Sequence, residues 1–345
     1  YGQFDALTTS QLRGLLTAQV SSLSAEQVAS LDSADIAALP TRFVTALSIS
    51  QVGQLSTYQI ASLTTAHIRQ ISTGQLQLLS IEQIAGLTTA QVSGLITSQI
   101  SALTDTQLAA IETVDIGALT TAQVQTLSTG QYAAMSLDQL SSLKTTQISA
   151  LLTSQMKAFS NDQLSAVATA GIAHFTASQI QALSLSQIGS LSADLVPQLT
   201  TAQFTALQAN QFRTFGTAQI IAMTTQQFGA LTELQAKTML ATQIAAIETA
   251  DIRGLTATTL GRLSSGQLQA FTTGQLNAMT TDQLRAFSTQ QLSGWDTSQL
   301  RGLETSTLVA LSASQIRSLT SAQLAGLGSL QITAIPASVI GSLST

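Results

Sequence analysis

Residue types that mark several common protein classes are missing or scarce in this chain of 345 residues. There is no cysteine, so disulfide frameworks and thiolate metal sites are excluded, and the redox compartment cannot be read from the sequence. Glycine contributes 21 residues and proline only three. Collagen and calcium-binding β-rolls need far more glycine at fixed spacing, and β-rolls also need regularly placed aspartate. Both repeat classes are therefore excluded.

Charge is also scarce. Charged residues make up 8% of the chain, with a formal net charge of −5, whereas ordinary domains contain about 25%. The twelve lysines and arginines are scattered rather than gathered into the basic stripe of a nucleic-acid binder. No apolar run approaches the ~20 residues of a membrane span, and residues 1–30 are octets rather than a signal peptide. We expect neither a nucleic-acid partner nor a membrane span.

The chain consists instead of one octapeptide pattern. In LTTAQVSGLITSQISAL, residues 87–103, the pattern occurs twice and begins a third time. With Leu87 at position 1, the register runs without insertion or deletion through 42 octets, residues 7–342, and residues 1–6 and 343–345 are partial octets in phase. The sequence predicts a single continuous array over residues 1–345. Because neither end resembles a capping repeat, we expect a longer parent array or end-to-end stacking of copies.

Each position of the octet has its own preference. Positions 1 and 6 are apolar throughout, position 5 is Gln in 32 of the 42 octets, position 2 is usually Ser or Thr, and position 8 is usually Ala, Gly or Ser. Positions 4 and 7 accept almost any residue, so we expect them to face solvent. An unbroken helix turns about 800° in eight residues and would move its apolar residues about 80° per octet. One long helix is therefore excluded.

A helix that restarts in every octet fits the pattern. Thr88 is placed to act as N-cap and Gln91 to complete the capping box, while Leu87 and Val92 form a hydrophobic staple. The sequence therefore predicts an all-α fold, an α-solenoid of very short helices, with a Thr-rich β-solenoid as the alternative. In this scheme Gln91 is only a cap, so replacing it by Ala should cost about 0.5–2 kcal/mol. Replacing Leu87 by Ala should cost more, about 2–5 kcal/mol.

Three details of the pattern bear on how each helix begins and on how the helices stack into coils. At position 2, Asp32 and Gly216 still suit an N-cap, whereas Leu16, Lys144 and Leu240 do not. Phenylalanine recurs at sixteen residues in the pairs Phe159 and Phe175, Phe212 and Phe228, and Phe271 and Phe287. The number of octets in one coil is not decided by the sequence, but this recurrence favours two. Small residues at position 8 would let successive helices approach closely.

Few residues are candidates for chemistry. His67 and His174 occupy positions 5 and 8 and lie far apart in the sequence. An imidazole without a nearby acid, Cys or second His forms neither a metal site nor a catalytic dyad. Trp295 stands at the apolar position 1, which favours core packing over ligand stacking. We therefore predict no catalytic, cofactor-binding or metal-binding residue, and no enzyme.

Three octets carry acidic residues at both positions 2 and 5. These pairs are Asp32 with Asp35, Glu112 with Asp115, and Glu248 with Asp251. A spacing of three places both carboxylates on one helical face. Such a pair could contribute to weak calcium binding, but calcium takes six or more oxygen ligands. The simpler interpretation is acidic substitution within the capping box.

The octets LTTAQVSG, LTTAQVQT and LSASQIRS resemble the repeats of very long bacterial secreted or surface proteins, often labelled as adhesins or as haem-utilisation proteins. The resemblance covers the whole chain and carries no functional residue. It implies export, great length and a role at the cell surface. Two isolated histidines and no cysteine leave few axial ligands for haem, so we expect no cofactor.

These observations favour a non-enzymatic structural protein, a segment of a bacterial extracellular fibre, stalk or surface layer. Low charge produces little repulsion between copies, and contacts that do not close yield filaments, so we expect self-association. The alternative is a solenoid binding module, an adhesin for a peptide or polysaccharide. That function predicts a cluster of exposed aromatic or charged residues, which positions 4 and 7 lack beyond Tyr58. Glycosylation is left open, although no Asn-x-Ser/Thr sequon occurs.

Overall fold

A computed structural model describes residues 7–342, and every regular element among them is a helix, most of them four to six residues long. No strand occurs in that range. The predicted all-α solenoid is confirmed, and the β-solenoid alternative is wrong. The described residues fall into two compact units, one on each side of the bond between His174 and Phe175. We refer to them as unit 1 and unit 2.

Unit 1 contains twenty α-helices and one 3-10 helix among its described residues. Their bounds are Thr9–Arg13, Thr17–Ser21, Ala25–Ala29, Ser33–Ala38, Thr41–Ala46, Ile49–Gly53, Thr57–Ser62, Thr65–Ile68, Thr73–Gln77, Ile81–Ala85, Thr89–Gly94, Thr97–Ala102, Asp105–Ala109, Thr113–Ile116, Thr121–Thr126, Thr129–Ala134, Leu137–Ser141, Thr145–Ala150, Thr153–Ala158, Asn161–Gly171 and the 3-10 helix Ile172–His174.

Unit 2 contains nineteen α-helices and two 3-10 helices among its described residues. The α-helices are Ala177–Ala182, Leu185–Gly189, Thr201–Ala206, Ala209–Arg213, Thr217–Ile221, Thr225–Gly229, Glu233–Thr238, Ala241–Ala245, Ala257–Gly261, Ser265–Leu268, Thr273–Asn277, Thr281–Arg285, Thr289–Ser293, Thr297–Arg301, Thr305–Ala310, Ala313–Arg317, Ser321–Ala325, Ser329–Ala334 and Ala337–Ile340. The 3-10 helices are Ala193–Gln198 and Ile252–Gly254.

The helix restarts in each octet because the capping box forms as predicted. Gln91 N–H donates to Thr88 Oγ1 at 3.3 Å, and Thr88 N–H donates to Gln91 Oε1 at 2.7 Å. The helix Thr89–Gly94 ends where Leu95 turns extended, with φ −57° and ψ 138°. Since position 1 leaves the helical conformation and position 2 caps the next helix, each octet contributes one turn and one corner.

The exceptions at position 2 behave as the sequence predicts. The Asp32 carboxylate accepts from Asp35 N–H at 2.7 Å. Leu16, Lys144 and Leu240 provide no side-chain cap. Their backbone N–H groups still donate to the Gln of the same octet, at 2.8, 2.7 and 2.9 Å. Gly216 N–H does the same at 2.9 Å. The Gln therefore maintains half of the capping box where the cap residue is lost.

Helices three octets apart pack against one another. The helix Thr89–Gly94, for example, contacts Thr65–Ile68 in one direction and Thr113–Ile116 in the other. One coil therefore contains three octets, not the two favoured by the phenylalanine spacing. Phe159 shows why that spacing misled: its ring packs edge-on against Tyr132 at 5.4 Å, 27 residues earlier. Aromatic side chains fill a core shared by all three helices of a coil, so their spacing does not report which helices stack.

The stacked helices form three columns in each unit. In unit 1 the first column begins with Thr9–Arg13, the second with Thr17–Ser21 and the third with Ala25–Ala29. In unit 2 the corresponding helices are Ala177–Ala182, Leu185–Gly189 and Ala193–Gln198. Each later helix of a column lies three octets further along the chain.

Positions 1 and 6 supply the core between the columns. Leu87 and Val92 are 4% and 0% exposed. Position 8 is small because stacked helices approach closely there. A methyl group added to Gly94 would lie 3.1 Å from Thr65 Cγ2, in the helix three octets earlier. The close approach expected from the small residues is therefore real, but it lies between coils rather than between successive helices.

One octet does not restart its helix. Residues 167–174 read VATAGIAH, with Ala168 at the cap position and Gly171 at the Gln position. Because both capping partners are missing, the helix Asn161–Gly171 runs eleven residues, past the point where other octets turn. The octet register continues through this segment, and the boundary between the two compact units follows it directly, after His174. Within residues 7–342 no helix has the length and apolar character needed to cross a membrane.

Candidate functional site

The most regular polar feature of the interior is the side chain at position 5. Gln91 is 1% exposed. Its Oε1 accepts from Thr88 N–H, and its Nε2 donates to the carbonyl oxygens of Leu63 at 2.6 Å and Ile60 at 2.8 Å. Both carbonyls belong to the preceding coil, 28 and 31 residues earlier. One amide thus fixes the start of its own helix and binds that helix to the coil before it.

The same pair of bonds, 28 and 31 residues back, recurs along both units, and we call these glutamines the Gln ladder. In unit 1 they are Gln51, Gln83, Gln91, Gln99, Gln107, Gln123, Gln131, Gln139, Gln147, Gln155 and Gln163. In unit 2 they include Gln211, Gln219, Gln227, Gln235, Gln243, Gln267, Gln275, Gln283, Gln291, Gln299, Gln315, Gln323 and Gln331.

The cap was predicted from the sequence, and the bond between coils was not. A capping box accepts either Glu or Gln at N3, because only an acceptor oxygen is needed there. This chain never places Glu at position 5. A carboxylate cannot donate, whereas an amide offers two N–H donors. The consistent choice of Gln over Glu was therefore the signal that position 5 also donates hydrogen bonds.

His67 replaces a Gln of the ladder. It stands at position 5 and is 3% exposed. Its Nδ1 accepts from Thr64 N–H at 3.2 Å, and its Nε2 lies 2.8 Å from the carbonyl oxygen of Leu39, 28 residues earlier. A backbone N–H only donates and a carbonyl only accepts, so these two contacts match the tautomer that carries its proton on Nε2. Both ring nitrogens are therefore occupied by backbone partners.

His174 ends the 3-10 helix Ile172–His174 and is exposed. The structure does not bring it to His67. Across the described residues, no group of three or more His, Cys, Asp or Glu side chains could hold a metal ion. Each acidic pair therefore offers at most its own two carboxylates to an ion. The hydrogen-bond partners of the three pairs also differ.

Two of the three position-5 aspartates accept from a threonine of the preceding coil. Asp35 accepts from the Thr9 hydroxyl at 2.8 Å, and Asp251 accepts from the Thr225 hydroxyl. Asp115 behaves differently. It is 3% exposed, its Oδ1 is buried without a hydrogen-bond partner, and Glu112 provides no side-chain cap. The Asp115 side chain is shorter than that of Gln and has no donor, so it does not reproduce the hydrogen bonds that a Gln makes at position 5.

Trp295 packs in the core, as position 1 predicts. It is 3% exposed, and its ring lies edge-on to Phe287 with centroids 5.4 Å apart. Tyr132, at position 6, is fully buried and donates its hydroxyl to the carbonyl oxygen of Val124 at 3.0 Å. Burial raises the pKa of the Tyr132 phenol far above its usual range.

Position 7 was expected only to face solvent, and the structure gives it a second role. Arg69 Nε donates to the carbonyl oxygen of Gly94 at 2.9 Å, in the next coil of the same column. Arg13 and Gln77 do the same to Ala38 at 2.8 Å and Ala102 at 2.9 Å. These long side chains lie over the protein surface and cover carbonyls at the ends of short helices.

The surface depressions belong to the repeat. A groove of about 570 Å³ lies between residues 303–306 and residues 328–331. A comparable groove in unit 1 is lined by residues 47–49 together with Ser72 and Gln75. Both grooves lie between positions 1–3 of one octet and positions 2–5 of the octet stacked on it. The first groove is lined by one basic and one acidic residue, Arg301 and Glu304, and the second by no charged residue, so both offer a contact surface of mixed polarity.

The family model described as the ALTTAQ repeat matches the chain at residues 28–65, 108–145, 196–233, 244–281, 278–312 and 301–336. Together these matches cover more than half of the sequence. No curated protein matches the chain.

Proposed function

Because the chain belongs to the ALTTAQ repeat family, we propose that its function is that of the array itself: a non-enzymatic structural segment of a bacterial extracellular fibre, stalk or surface layer that self-associates. The Gln ladder is the observation that carries this proposal. The most regular polar side chains of the chain lie inside the molecule and join each coil to the coil before it. Repetition of this kind serves the continuity of a stack and places no reactive groups together.

The mechanical consequence of the ladder supports the proposal. In most solenoids, neighbouring repeats are held chiefly by apolar packing. Here each ladder Gln adds two hydrogen bonds between coils, shielded from water, and buried bonds are costly to break without replacement. Separating two adjacent coils would expose the core at positions 1 and 6 and break these bonds together. Such a stack suits a spacer that resists shear and extension.

The surface supports self-association. With 8% charged residues and a net charge of −5, copies repel one another weakly. The exposed positions are mainly Ser, Thr, Ala and Gln. The hydroxyl groups of Ser and Thr and the amide of Gln both donate and accept hydrogen bonds. A surface of this composition can pair with its own copy without a charge-matched partner.

The second candidate function is a module that binds a peptide or polysaccharide, and the repeated grooves favour it. The groove that contains Arg301, Glu304 and Leu330 combines both charge signs with an apolar side chain that is 77% exposed. Grooves recurring along a column would suit a linear polymer with its own repeat. This function predicts saturable binding to a soluble glycan or peptide by a monomeric protein.

Electron microscopy and sedimentation velocity of the purified chain from 0.1 to about 50 µM test the proposal. We expect assemblies whose mass grows with concentration and which persist in moderate salt, because few charges are involved. A protein that stays monomeric throughout this range would contradict the structural proposal. A monomer that also binds one polysaccharide saturably would favour the binding module.

A further inference from the structure

Charge is unevenly distributed among the three columns of unit 1. Within residues 7–174, the first and second columns carry six charged residues each, and the third carries two, Glu26 and Lys144. These two lie toward opposite ends of the column. The four helices between them, Ile49–Gly53, Thr73–Gln77, Thr97–Ala102 and Thr121–Thr126, contain no charged residue. We call the exposed side of these four helices the uncharged face of unit 1.

Unit 2 shows the same distribution independently. Its third column carries only Asp194 and Arg317 among the described residues. Four successive helices between them, Thr217–Ile221, Ala241–Ala245, Ser265–Leu268 and Thr289–Ser293, are again free of charged residues. They form the uncharged face of unit 2. The second column of the same unit is charged and pairs charges between coils, as in the exposed bridge of Arg262 Nε to Glu233 Oε2 at 2.9 Å.

The uncharged face of unit 1 also presents apolar side chains. Ile49, Leu78 and Ile96 are 51%, 56% and 45% exposed. Leu78 occupies position 8, which is usually small, and position 8 lies against position 3 of the helix three octets earlier, as Gly94 does against Thr65. By the same relation we expect Leu78 to lie beside Ile49, which stands at position 3 of the helix three octets earlier. Three successive coils therefore each expose one large aliphatic residue on this side.

We propose that the uncharged faces are lateral contact surfaces on which a second copy of this chain packs. This inference rests on the proposed self-association and specifies its surface. The centres of protein interfaces are depleted in charged residues, since an unpaired charge buried at a contact loses its hydration without compensation. The first two columns of each unit carry more such charges, whereas the third carries none over four successive helices.

The repeat identifies the partner as another copy. The helices of the uncharged face recur once per coil, every three octets, over four successive coils in each unit. A partner can engage such a surface along its length only if its own groups recur at the same interval. Another copy of the chain has the same repeat interval. Its hydroxyl and amide side chains both donate and accept hydrogen bonds, so they can pair with the same groups on the first copy.

The test places acidic residues on the uncharged faces and, as a matched control, on the second columns. Position 4 tolerates Glu naturally: Glu26 and Glu82 stand there, and hydrogen bonds with their own backbone and with the cap serine lower the pKa of each carboxyl. The test variant is Ser98→Glu, Ala122→Glu, Ala218→Glu and Thr242→Glu. The control variant is Ala66→Glu, Ala90→Glu, Asn210→Glu and Thr258→Glu. All eight sites are exposed at position 4, and both variants change the net charge equally.

Sedimentation velocity gives the concentration at which half of each protein is assembled, and circular dichroism confirms that each variant is folded. We expect the test variant to require at least about a tenfold higher concentration than the unmodified chain, since like charges facing each other across a contact oppose binding strongly. The control should assemble like the unmodified chain. If both variants assemble normally, or if the control loses assembly as much as the test variant, the proposal is wrong.

A second variant removes apolar surface without adding charge. Ile49→Thr, Leu78→Ala and Ile96→Thr restore the usual residues of positions 3, 8 and 2, so folding is preserved. We expect assembly to weaken several-fold. The control, Leu16→Thr, Val114→Ala and Leu137→Thr, trims exposed side chains of the second column and should have no effect. An unmodified chain that never assembles would overturn the proposed function together with this inference, whereas assembly insensitive to both test variants would overturn this inference alone.

Discussion

The Nε2 atom of Gln91 lies 2.6 Å from the carbonyl oxygen of Leu63, 28 residues earlier in the chain. This bond joins the start of one short helix to the corner of the coil before it. Because Gln91 also accepts from Thr88 N–H at 2.7 Å, one side chain determines both where a helix begins and what it stacks on.

Replacing Gln91 by Ala should be as destabilising as replacing the core residue Leu87 by Ala. The truncation leaves the Thr88 N–H and the buried carbonyl of Leu63 without partners, at about 1–3 kcal/mol for each group. It also removes one of the two donors to the Ile60 carbonyl, which keeps the N–H of Leu63. The Leu87 truncation should cost about 2–5 kcal/mol. The sequence alone predicted a much smaller loss for the Gln, as for an ordinary cap. Urea denaturation of both variants checks this. If Gln91→Ala lowered the free energy of unfolding by less than about 1 kcal/mol, Gln91 would act only as a helix cap.

His67→Gln should be neutral or stabilising. His67 makes one bond to the preceding coil, to Leu39, whereas a Gln has a second donor that can reach the carbonyl of Ile36, 31 residues back. One added hydrogen bond is worth about 0.5–1.5 kcal/mol. His67→Ala should be clearly destabilising by comparison. A thermal melt showing that Gln is worse than His at this site would mean that the imidazole has a role of its own.

Asp115→Gln should stabilise unit 1. The substitution removes a buried Oδ1 that has no partner and supplies an amide suited to the carbonyls of Leu87 and Ile84. We expect a gain of about 1–3 kcal/mol in the free energy of unfolding. Asp35→Gln is the control, because Asp35 already accepts from the Thr9 hydroxyl and should gain less. Equal effects at the two sites would argue against the ladder as the cause.

Tyr132 should make the fold sensitive to alkali. Burial raises the pKa of its phenol in the folded protein, above the value near 10 of an unfolded chain. Its contribution to stability is therefore complete below about pH 10 and declines as the pH rises toward the folded pKa. Tyr132→Phe fits position 6, where Phe204 and Phe212 already stand. Urea midpoints between pH 8 and 11 should fall more steeply for the unmodified chain, and parallel curves would contradict this.

Much of the fold could be predicted from the octet because its determinants are local. The cap at Thr88, the return bond from Gln91 and the buried pair Leu87 and Val92 all lie within one octet, so their spacing specifies them. The stacking of coils depends on residues 24 or more positions apart, and nothing in a uniform repeat distinguishes two octets per coil from three. That Gln91 also donates hydrogen bonds to the preceding coil could have been predicted only from the absence of Glu at position 5.

Departures from the octet were harder to predict. At Ala168 and Gly171 the capping residues are missing, yet a sequence that keeps its apolar period gives no direct sign that two octets share one helix. The role of Arg69 was hidden because its side chain is exposed and still donates to a carbonyl one coil away. The uncharged faces could not be seen before the columns were known, since residues of one column are interleaved in sequence with those of the other two.

The most direct test of the ladder is the pair Gln91→Glu and Gln11→Glu. Glutamate keeps the acceptor that completes the capping box but has no donor for a carbonyl. Gln11 is exposed and accepts from Thr8 N–H at 2.8 Å, and its Nε2 donates to no carbonyl among the described residues. At neutral pH we expect Gln91→Glu to lower the free energy of unfolding by about 2–4 kcal/mol. The buried carbonyl of Leu63 loses its donor, that of Ile60 loses one of its two donors, and a carboxylate takes the buried place of the amide. Gln11→Glu should change it by less than about 0.5 kcal/mol. Equal losses at the two sites would show that the glutamines act only as caps and would contradict the ladder.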